Sequence, residues 1–327
     1  MDARTPVRIL LVGMRRSGKT SIRKVVFHNL PPGDTIRLPS TPRTVKEDIV
    51  RSFLDFQLWD VSSQNDLSDS SLETTLSCAG ALIFVIDALT EYSEALQRLE
   101  DLVRRAYRVN PNLHFEVFIH KVDLLPEDNK IETLEDIERR VRNDVMAEEG
   151  EEGPEIFPSL HFHLTSIYDH SIYEALSKVV QKLIVYLPSL ESLLNMFCLS
   201  SSVEKAYLFD QQSKLYIATD SSPFDFHSYG ICSDMIDVIM DIIHTFWLGM
   251  TEERAEEKGP ESLDPNRGVH AVIKLQNNTI LYLREVSHHL ALLCLIRGEN
   301  ATQQSLFEYN VRLFRESVDE ILRLEKR

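Results

Sequence analysis

Residues Arg8–Thr20 read RILLVGMRRSGKT: an apolar run, Arg8–Val12, and then Gly13-Met14-Arg15-Arg16-Ser17-Gly18-Lys19-Thr20. The octet satisfies G-x-x-x-x-G-K-[ST]. It follows a predicted strand and opens a predicted helix, Lys19–His28, the context in which the pattern carries meaning. Glycines let the backbone curl so that several N–H groups point inward at phosphate oxygens, and the helix N-terminus adds partial positive charge. In such a loop Lys19 reaches the β- and γ-phosphates and the Thr20 hydroxyl binds Mg²⁺. Arg15, Arg16, Ser17 and Ser21 lie within or beside the loop and are candidate phosphate contacts, the two arginines equally readable as solvated surface charges.

Outward from this loop the pattern repeats. Phe53–Trp59, Ala81–Ile86, Phe115–Ile119 and Leu160–Leu164 are short, rich in β-branched or aromatic residues and bounded by polar ones, as strands are. Tyr92–Val109, Ile131–Glu148 and His170–Tyr186 have helical periodicity. Strand–helix alternation implies an α/β fold with a mostly parallel sheet and helices on both faces. The unbroken apolar run Ala81–Ile86 suits a strand covered on both sides, and Glu148–Pro158, rich in Glu, Gly and Pro, reads as a surface loop.

A phosphate loop alone would equally serve an ATPase or a kinase. FLDFQLWD, Phe53–Asp60, ends in an aspartate where such proteins place the carboxylate that positions Mg²⁺ through water. FEVFIHKVD, Phe115–Asp123, ends in His120-Lys121-Val122-Asp123, close to the N-K-x-D motif that selects guanine. There the aspartate accepts hydrogen bonds from the guanine ring N–H and exocyclic amine, a donor pair adenine lacks, while the lysine stem covers the ring. His120 stands in the asparagine place, where its ring can still tie this loop to the phosphate loop. Thr165-Ser166-Ile167 closes the last strand as the S-A-x loop does, bringing the Ser166 and Ile167 backbone toward the guanine carbonyl. Each motif is weak alone, but their order, each at the carboxyl end of a predicted strand, is specific. The expected ligands are GTP or GDP with Mg²⁺, the metal held by Thr20, Asp60 and a first-switch threonine. Thr35 and Thr41 are the candidates for that threonine and for sensing the γ-phosphate, although the segment also reads as a plain Pro/Ser/Thr surface loop.

The chain has 327 residues, 43% hydrophobic and 26% charged, with a formal net charge of −16. Length predicts two domains. So acidic a surface repels a nucleic-acid backbone or an anionic membrane as principal partner. Cys78, Cys198, Cys232 and Cys294 form no CxxC pair, and the pattern fits a reducing compartment. MDARTPVRIL holds no signal-peptide apolar region, Asp2 stands where myristoylation needs glycine, and ILRLEKR offers no prenylatable cysteine. With no run of about 18 apolar residues, the expectation is a cytosolic protein without direct membrane insertion, attached to any organelle through something else.

After Pro188 the pattern changes. Leu190–Leu199 suggests a helix, Val203–Phe209 and Lys214–Ala218 two strands around a QQS turn, and Met235–Phe246 a helix. Met250–Gly268 is a charged loop; Ala271–Leu275, Thr279–Arg284 and His289–Ile296 are strand-like before a final helix, Thr302–Leu324. That order describes an α+β domain with an antiparallel sheet. His288 and His289, adjacent on a predicted strand, would face opposite sides and make poor joint ligands. Phe307, Val311, Phe314, Val318 and Ile321 share one helix face and are expected to cover the sheet.

The stretches LLVGMRRSGKTSIRKVVFHNL, GALIFVIDA, EVFIHKVD, LTSIYDHSIYEALSKVVQKL and EKAYLFDQQSKLYIATDSSPFD together resemble the Rag GTPases, in particular their C/D branch, the Gtr-type proteins of fungi. The resemblance runs from about Arg8 to the final helix. It implies a G domain over 1–186 and a roadblock-type dimerisation domain over 187–327. It also implies an obligate heterodimer with an A/B-type Rag through the second domain. A lipidated scaffold holds such a dimer on the lysosome or vacuole, where it conveys amino-acid sufficiency to the target-of-rapamycin kinase complex; the nucleus stays open as a second compartment. One departure matters. The family usually reads D-F-P-G-Q at the second switch, whereas this chain has Asp60-Val61-Ser62-Ser63-Gln64. Ser63 keeps the N–H that contacts a γ-phosphate but adds a Cβ where glycine tolerates close approach. Hydrolysis through a water oriented by Gln64, the candidate catalytic residue, is therefore expected to be weak or absent, and a scaffold that binds nucleotide without cycling is the alternative.

Overall fold

The computed structural model describes residues 7–39, 44–49, 56–61, 69–147, 159–223, 225, 227–239, 242, 270–287, 289–298 and 304–325. The chain divides into two units, Met1–Leu183 and Ile184–Arg327.

In the first unit, β1 (Val7–Gly13), β2 (Val45–Ile49), β3 (Phe56–Asp60), β4 (Ala79–Asp87), β5 (His114–His120) and β6 (Leu160–Thr165) form one sheet in the order β2-β3-β1-β4-β5-β6. All neighbours are parallel except β2 with β3. The helices are α1 (Lys19–His28), α2 (Asp69–Ser77), α3 (Ser93–Val109), α4 (Glu127–Ala147) and α5 (Ser171–Lys182). The uninterrupted run in β4 has its expected meaning: Leu82 to Ile86 are all at most 1% exposed, because helices cover both sheet faces. On α3, Ala95, Leu96, Leu99, Val103 and Ala106 are the buried stripe, spaced three and four apart. From β1 the chain's crossovers run to β3 on one side and β4 on the other. The carboxyl end of β1 is thus the point where strand order reverses, the place where open α/β sheets bind ligands.

Three elements differ from expectation. β2, VKEDI, was not expected; its pattern hides because an inward position is a carboxylate, Glu47, between Val45 and Ile49. α2, DSSLETTLS, has too few apolar residues to announce itself. α5 ends at Lys182 and a new helix, α6 (Leu187–Ser201), starts with Pro188 in its first turn. There proline needs no hydrogen-bond partner for a missing N–H, whereas inside a helix it would break one.

The second unit contains α6, β7 (Lys205–Asp210), β8 (Tyr216–Thr219), α7 (227–239), β9 (His270–Lys274), β10 (Thr279–Glu285), β11 (Leu290–Arg297) and α8 (Gln304–Glu325). Its antiparallel sheet runs β8-β7-β11-β10-β9. The α-ββ-α-βββ-α order and antiparallel sheet agree with the roadblock-type architecture that the resemblance implies. Register separates its faces. Tyr282, Cys294 and Ala206 lie opposite one another, as do Leu283, Leu293 and Tyr207, and facing residues share a side of the sheet. Tyr282 packs on Phe307 of α8 at 4.8 Å, and Phe314 of α8 meets Phe197 of α6 at 5.3 Å. On the other face Tyr207 and Phe209 meet Tyr229 of α7, each at 6.0 Å. Val311, Phe314 and Val318 are buried as expected. α7 begins earlier than the expected Met235. Met250–Gly268 and His288 lie outside the described residues, and His289 sits in the turn before β11 rather than on the strand. Among the described residues no single helix is long and apolar enough to cross a membrane.

A buried ion cluster ties α5 to the sheet. Glu116 of β5, 1% exposed, accepts from His163 Nε2 at 2.8 Å and Lys182 Nζ at 2.6 Å. Burial alone would raise its pKa, but those two donors outweigh burial and hold it below 4.5. A depressed carboxylate contributes stability above its unfolded pKa and loses it as pH falls through the folded one. Glu116→Gln should therefore cost about 3 kcal/mol at pH 7, read by urea unfolding. The gap from the parent protein should narrow as pH drops below 4.5; a gap independent of pH would mean that the carboxylate charge is not what holds α5.

Candidate nucleotide-binding site

β1 delivers its last residue, Gly13, into a loop that no larger residue could form. At φ +144 a Cβ there would stand 2.3 Å from the Val85 carbonyl oxygen. Gly18 is left-handed, φ +107, and caps α1. Lys19 folds back into this curl. Its Nζ donates to the Gly13 and Met14 carbonyls, both at 2.8 Å, with Ser17 Oγ at 3.5 Å. The side chain is nearly buried, 7% exposed. Burial drives its pKa down to about 8, the Asp60 charge opposing the fall and the Arg98 charge adding to it. The third ammonium proton has only a long contact, so the group remains able to donate to an incoming anion.

Thr20 Oγ1 donates to Asp60 Oδ2 at 2.6 Å, joining α1 to the end of β3. Asp60 is 0% exposed, and its Oδ1 is buried without a hydrogen-bond partner. An orphaned anionic oxygen next to a threonine hydroxyl is a donor set that fits Mg²⁺ through water, because leaving it unmet inside the fold is costly. Thr20 and Asp60, two of the expected metal residues, thus come together. Ser17 is buried at 1% exposure beneath the loop, and Ser21 is half-buried on the first turn of α1.

At the end of β5, His120 is 1% exposed and pairs through Nδ1 with Thr165 Oγ1 at 3.0 Å. Burial, then the Lys121 charge, lowers its pKa to about 4, so the ring is neutral at physiological pH. The imidazole edge lies on the phosphate loop: a Cβ on Gly18 would be 2.4 Å from His120 Cδ2. The expected tie between the two loops is therefore made by packing. Lys121, itself left-handed at φ 67, adds a second tie. Its Nζ donates to the Arg16 carbonyl at 2.8 Å and to Asp87 Oδ2 at 2.5 Å. Asp123 Oδ1 accepts from Ser166 Oγ at 2.6 Å, and Ser166 Oγ in turn accepts from Tyr168 N–H at 3.1 Å. Asp123 is exposed at the rim, while Ser166 is 0% and Ile167 8% exposed. The carboxylate is thus aimed by one hydroxyl and left open to solvent, the arrangement a purine edge needs.

Arg15 and Arg16 are exposed, and Arg16 takes the left-handed φ of 65 that turns its carbonyl toward Lys121. Thr35 lies in a 3-10 turn, Pro32–Arg37, with its hydroxyl on the Pro32 carbonyl at 2.7 Å. Thr41, Ser63 and Gln64 lie outside the described residues. Sequence reasoning missed three contributors. Asp87 clamps Lys121, and its place at the carboxyl end of a strand was the available signal. Tyr168, 55% exposed, belongs to the Asp123 loop through its N–H. Arg98 on α3 brings positive charge toward Lys19 across a large sequence separation, which no local pattern encodes.

Residues 8–236 match the family described as the Gtr1/RagA G protein conserved region. The chain is similar to Ras-related GTP-binding protein C of Homo sapiens, with 51% identity over 96% of this chain and 76% of that protein. It is also similar to GTP-binding protein gtr2 of Schizosaccharomyces pombe, with 48% identity over 97% and 98% of the two chains. GTP-binding protein GTR2 of Saccharomyces cerevisiae is 38% identical over 96% of this chain and 92% of its own.

Lys19 sets a pH limit. In the unliganded protein it loses its proton above about pH 8, whereas a bound phosphate favours the ammonium. Nucleotide affinity should hold steady up to about pH 8 and then fall by up to about tenfold per pH unit. Equilibrium titration with a fluorescent guanine nucleotide between neutral and alkaline pH reads this directly; an affinity flat across that range would place Lys19 away from the phosphates.

Proposed function

The chain belongs to the Rag GTPase family, in its C/D branch, and from that premise we propose that it is the guanine-nucleotide switch subunit of a heterodimer with an A/B-type Rag. The observation that carries this reading is the knot at Lys121. One ammonium joins the phosphate loop at Arg16 to Asp87, while two residues on Asp123 is aimed by Ser166. Phosphate recognition and base recognition are thereby one rigid object, which is what discrimination between nucleotides requires. Lys19 holds the β- and γ-phosphates, Asp123 reads guanine, and Thr20 with Asp60 holds Mg²⁺, which neutralises charge developing on the phosphates.

Dimerisation uses the second unit, and a lipidated scaffold on the cytoplasmic face of the lysosome or vacuole supplies the membrane attachment. The dimer relays amino-acid sufficiency to the target-of-rapamycin kinase complex. Hydrolysis in this reading is slow, because the sequence has Ser63 where the family has glycine, and a side chain at that position restricts the backbone that glycine leaves free. The same residue favours the second reading, a scaffold that binds guanine nucleotide without cycling.

The deciding experiment extracts the nucleotide from the chain co-purified with an A/B-type partner and then follows a single turnover of loaded GTP. Near-stoichiometric guanine nucleotide is expected, with turnover that Ser63→Gly accelerates by about tenfold or more. Bound nucleotide with no turnover in either form would establish the scaffold, and absence of guanine nucleotide would end both readings.

A further inference from the structure

Arg23 lies one turn past Lys19 on α1 and is 6% exposed. A buried guanidinium needs counter-charge, and two carboxylates supply it from different strands. Arg23 NH1 meets Glu47 Oε2 of β2 at 2.5 Å, and Arg23 Nε stands 3.6 Å from Asp60 Oδ2 of β3. The second contact is an ion pair without a hydrogen bond, since Nε is buried with no hydrogen-bond partner. Glu47 is further held by His28 Nε2 at 2.6 Å. Burial would raise the Glu47 pKa, but His28 and Arg23 outweigh it and keep the carboxylate ionised.

A permanent positive charge thus sits against the carboxylate that, in the reading above, holds the metal's water. Asp60 Oδ2 already faces Thr20 and Arg23, and Oδ1 alone is unmet. Buried charges are little screened by salt, so the guanidinium both repels a divalent cation and draws on the same carboxylate. Glu47 draws the other way, neutralising Arg23 from the side of β2. We propose that Arg23 is a positioning residue for the metal site: a resident cation that weakens Mg²⁺ binding at Asp60, with Glu47 as its moderator. Nucleotide retention in this protein consequently needs a higher Mg²⁺ concentration than the phosphate loop alone would require. The inference rests on the guanine-nucleotide reading and adds how its metal is tuned.

The test measures release of fluorescent GDP from the full chain as free Mg²⁺ is raised from none, in chelator, to millimolar, for the parent, Arg23→Gln, Arg23→Lys and Glu47→Gln. Arg23→Gln should lower the half-effective Mg²⁺ concentration by about tenfold while leaving release in chelator unchanged. Arg23→Lys, which keeps the charge, should stay near the parent, and Glu47→Gln should raise the half-effective concentration. A purely structural role for Arg23 would instead speed release at every Mg²⁺ concentration, including none, and that result overturns the proposal. So does an unshifted Mg²⁺ response in Arg23→Gln. If that variant does not fold, Glu47→Gln decides, an unshifted or lowered value counting against. A parent that holds no guanine nucleotide fails the switch reading itself, a different outcome from a parent that binds and an Arg23→Gln that does not shift.

Discussion

An ammonium group buried where a central strand gives way to a helix is the constraint around which the first unit is arranged. Lys19 has two backbone carbonyls of its own loop as close partners, and burial outweighs the nearest carboxylate in setting its pKa. That geometry exists only if the backbone between Gly13 and Gly18 folds inward, which demands left-handed or crowded conformations at Gly13, Arg16 and Gly18. The loop in turn needs a wall. Val85 of β4 and His120 of β5 supply it from neighbouring strands, so the sheet order is itself part of the site. A phosphate meeting the loop finds a charge whose desolvation cost has already been met by folding.

Legibility in the sequence follows the range of the forces involved. β4 and β5 were readable because their runs are apolar without a break, and burial on both faces has that local signature. β2 was not, because its inward Glu47 is stabilised by Arg23 and His28 on another element. The same distinction divides the site. Lys19, Thr20, Asp60 and Asp123 were legible from spacing and from their places at strand ends. Asp87, Arg23 and Arg98 were not, since each acts through a partner many residues away. Thr35 was read by residue type alone, and its hydroxyl is engaged within its own turn.

The second unit obeys a simpler rule. Its five strands alternate between two helical covers, and the face a residue joins is set by register alone: Tyr282 toward α8, Tyr207 toward α7. Its buried ion pair, Lys205 with Asp220 at 3.4 Å, joins two residues only, whereas the cluster around Asp60 links Arg23, Glu47 and His28 as well. Its largest buried side chains, Tyr207, Tyr229 and Phe209, meet one another as rings, a core built for packing rather than chemistry.

The imidazole of His120 against Gly18 has a consequence for descent. Because a Cβ at position 18 would lie 2.4 Å from the ring, the two positions form a single heritable character although they stand 102 positions apart in the chain. A lineage that keeps the large ring adds a steric bar at position 18 to the bar that the left-handed φ of +107 already sets. One that exchanges it for a smaller amide must refill the vacated space elsewhere. The histidine that distinguishes this motif is thus bound in inheritance to the phosphate loop beneath it.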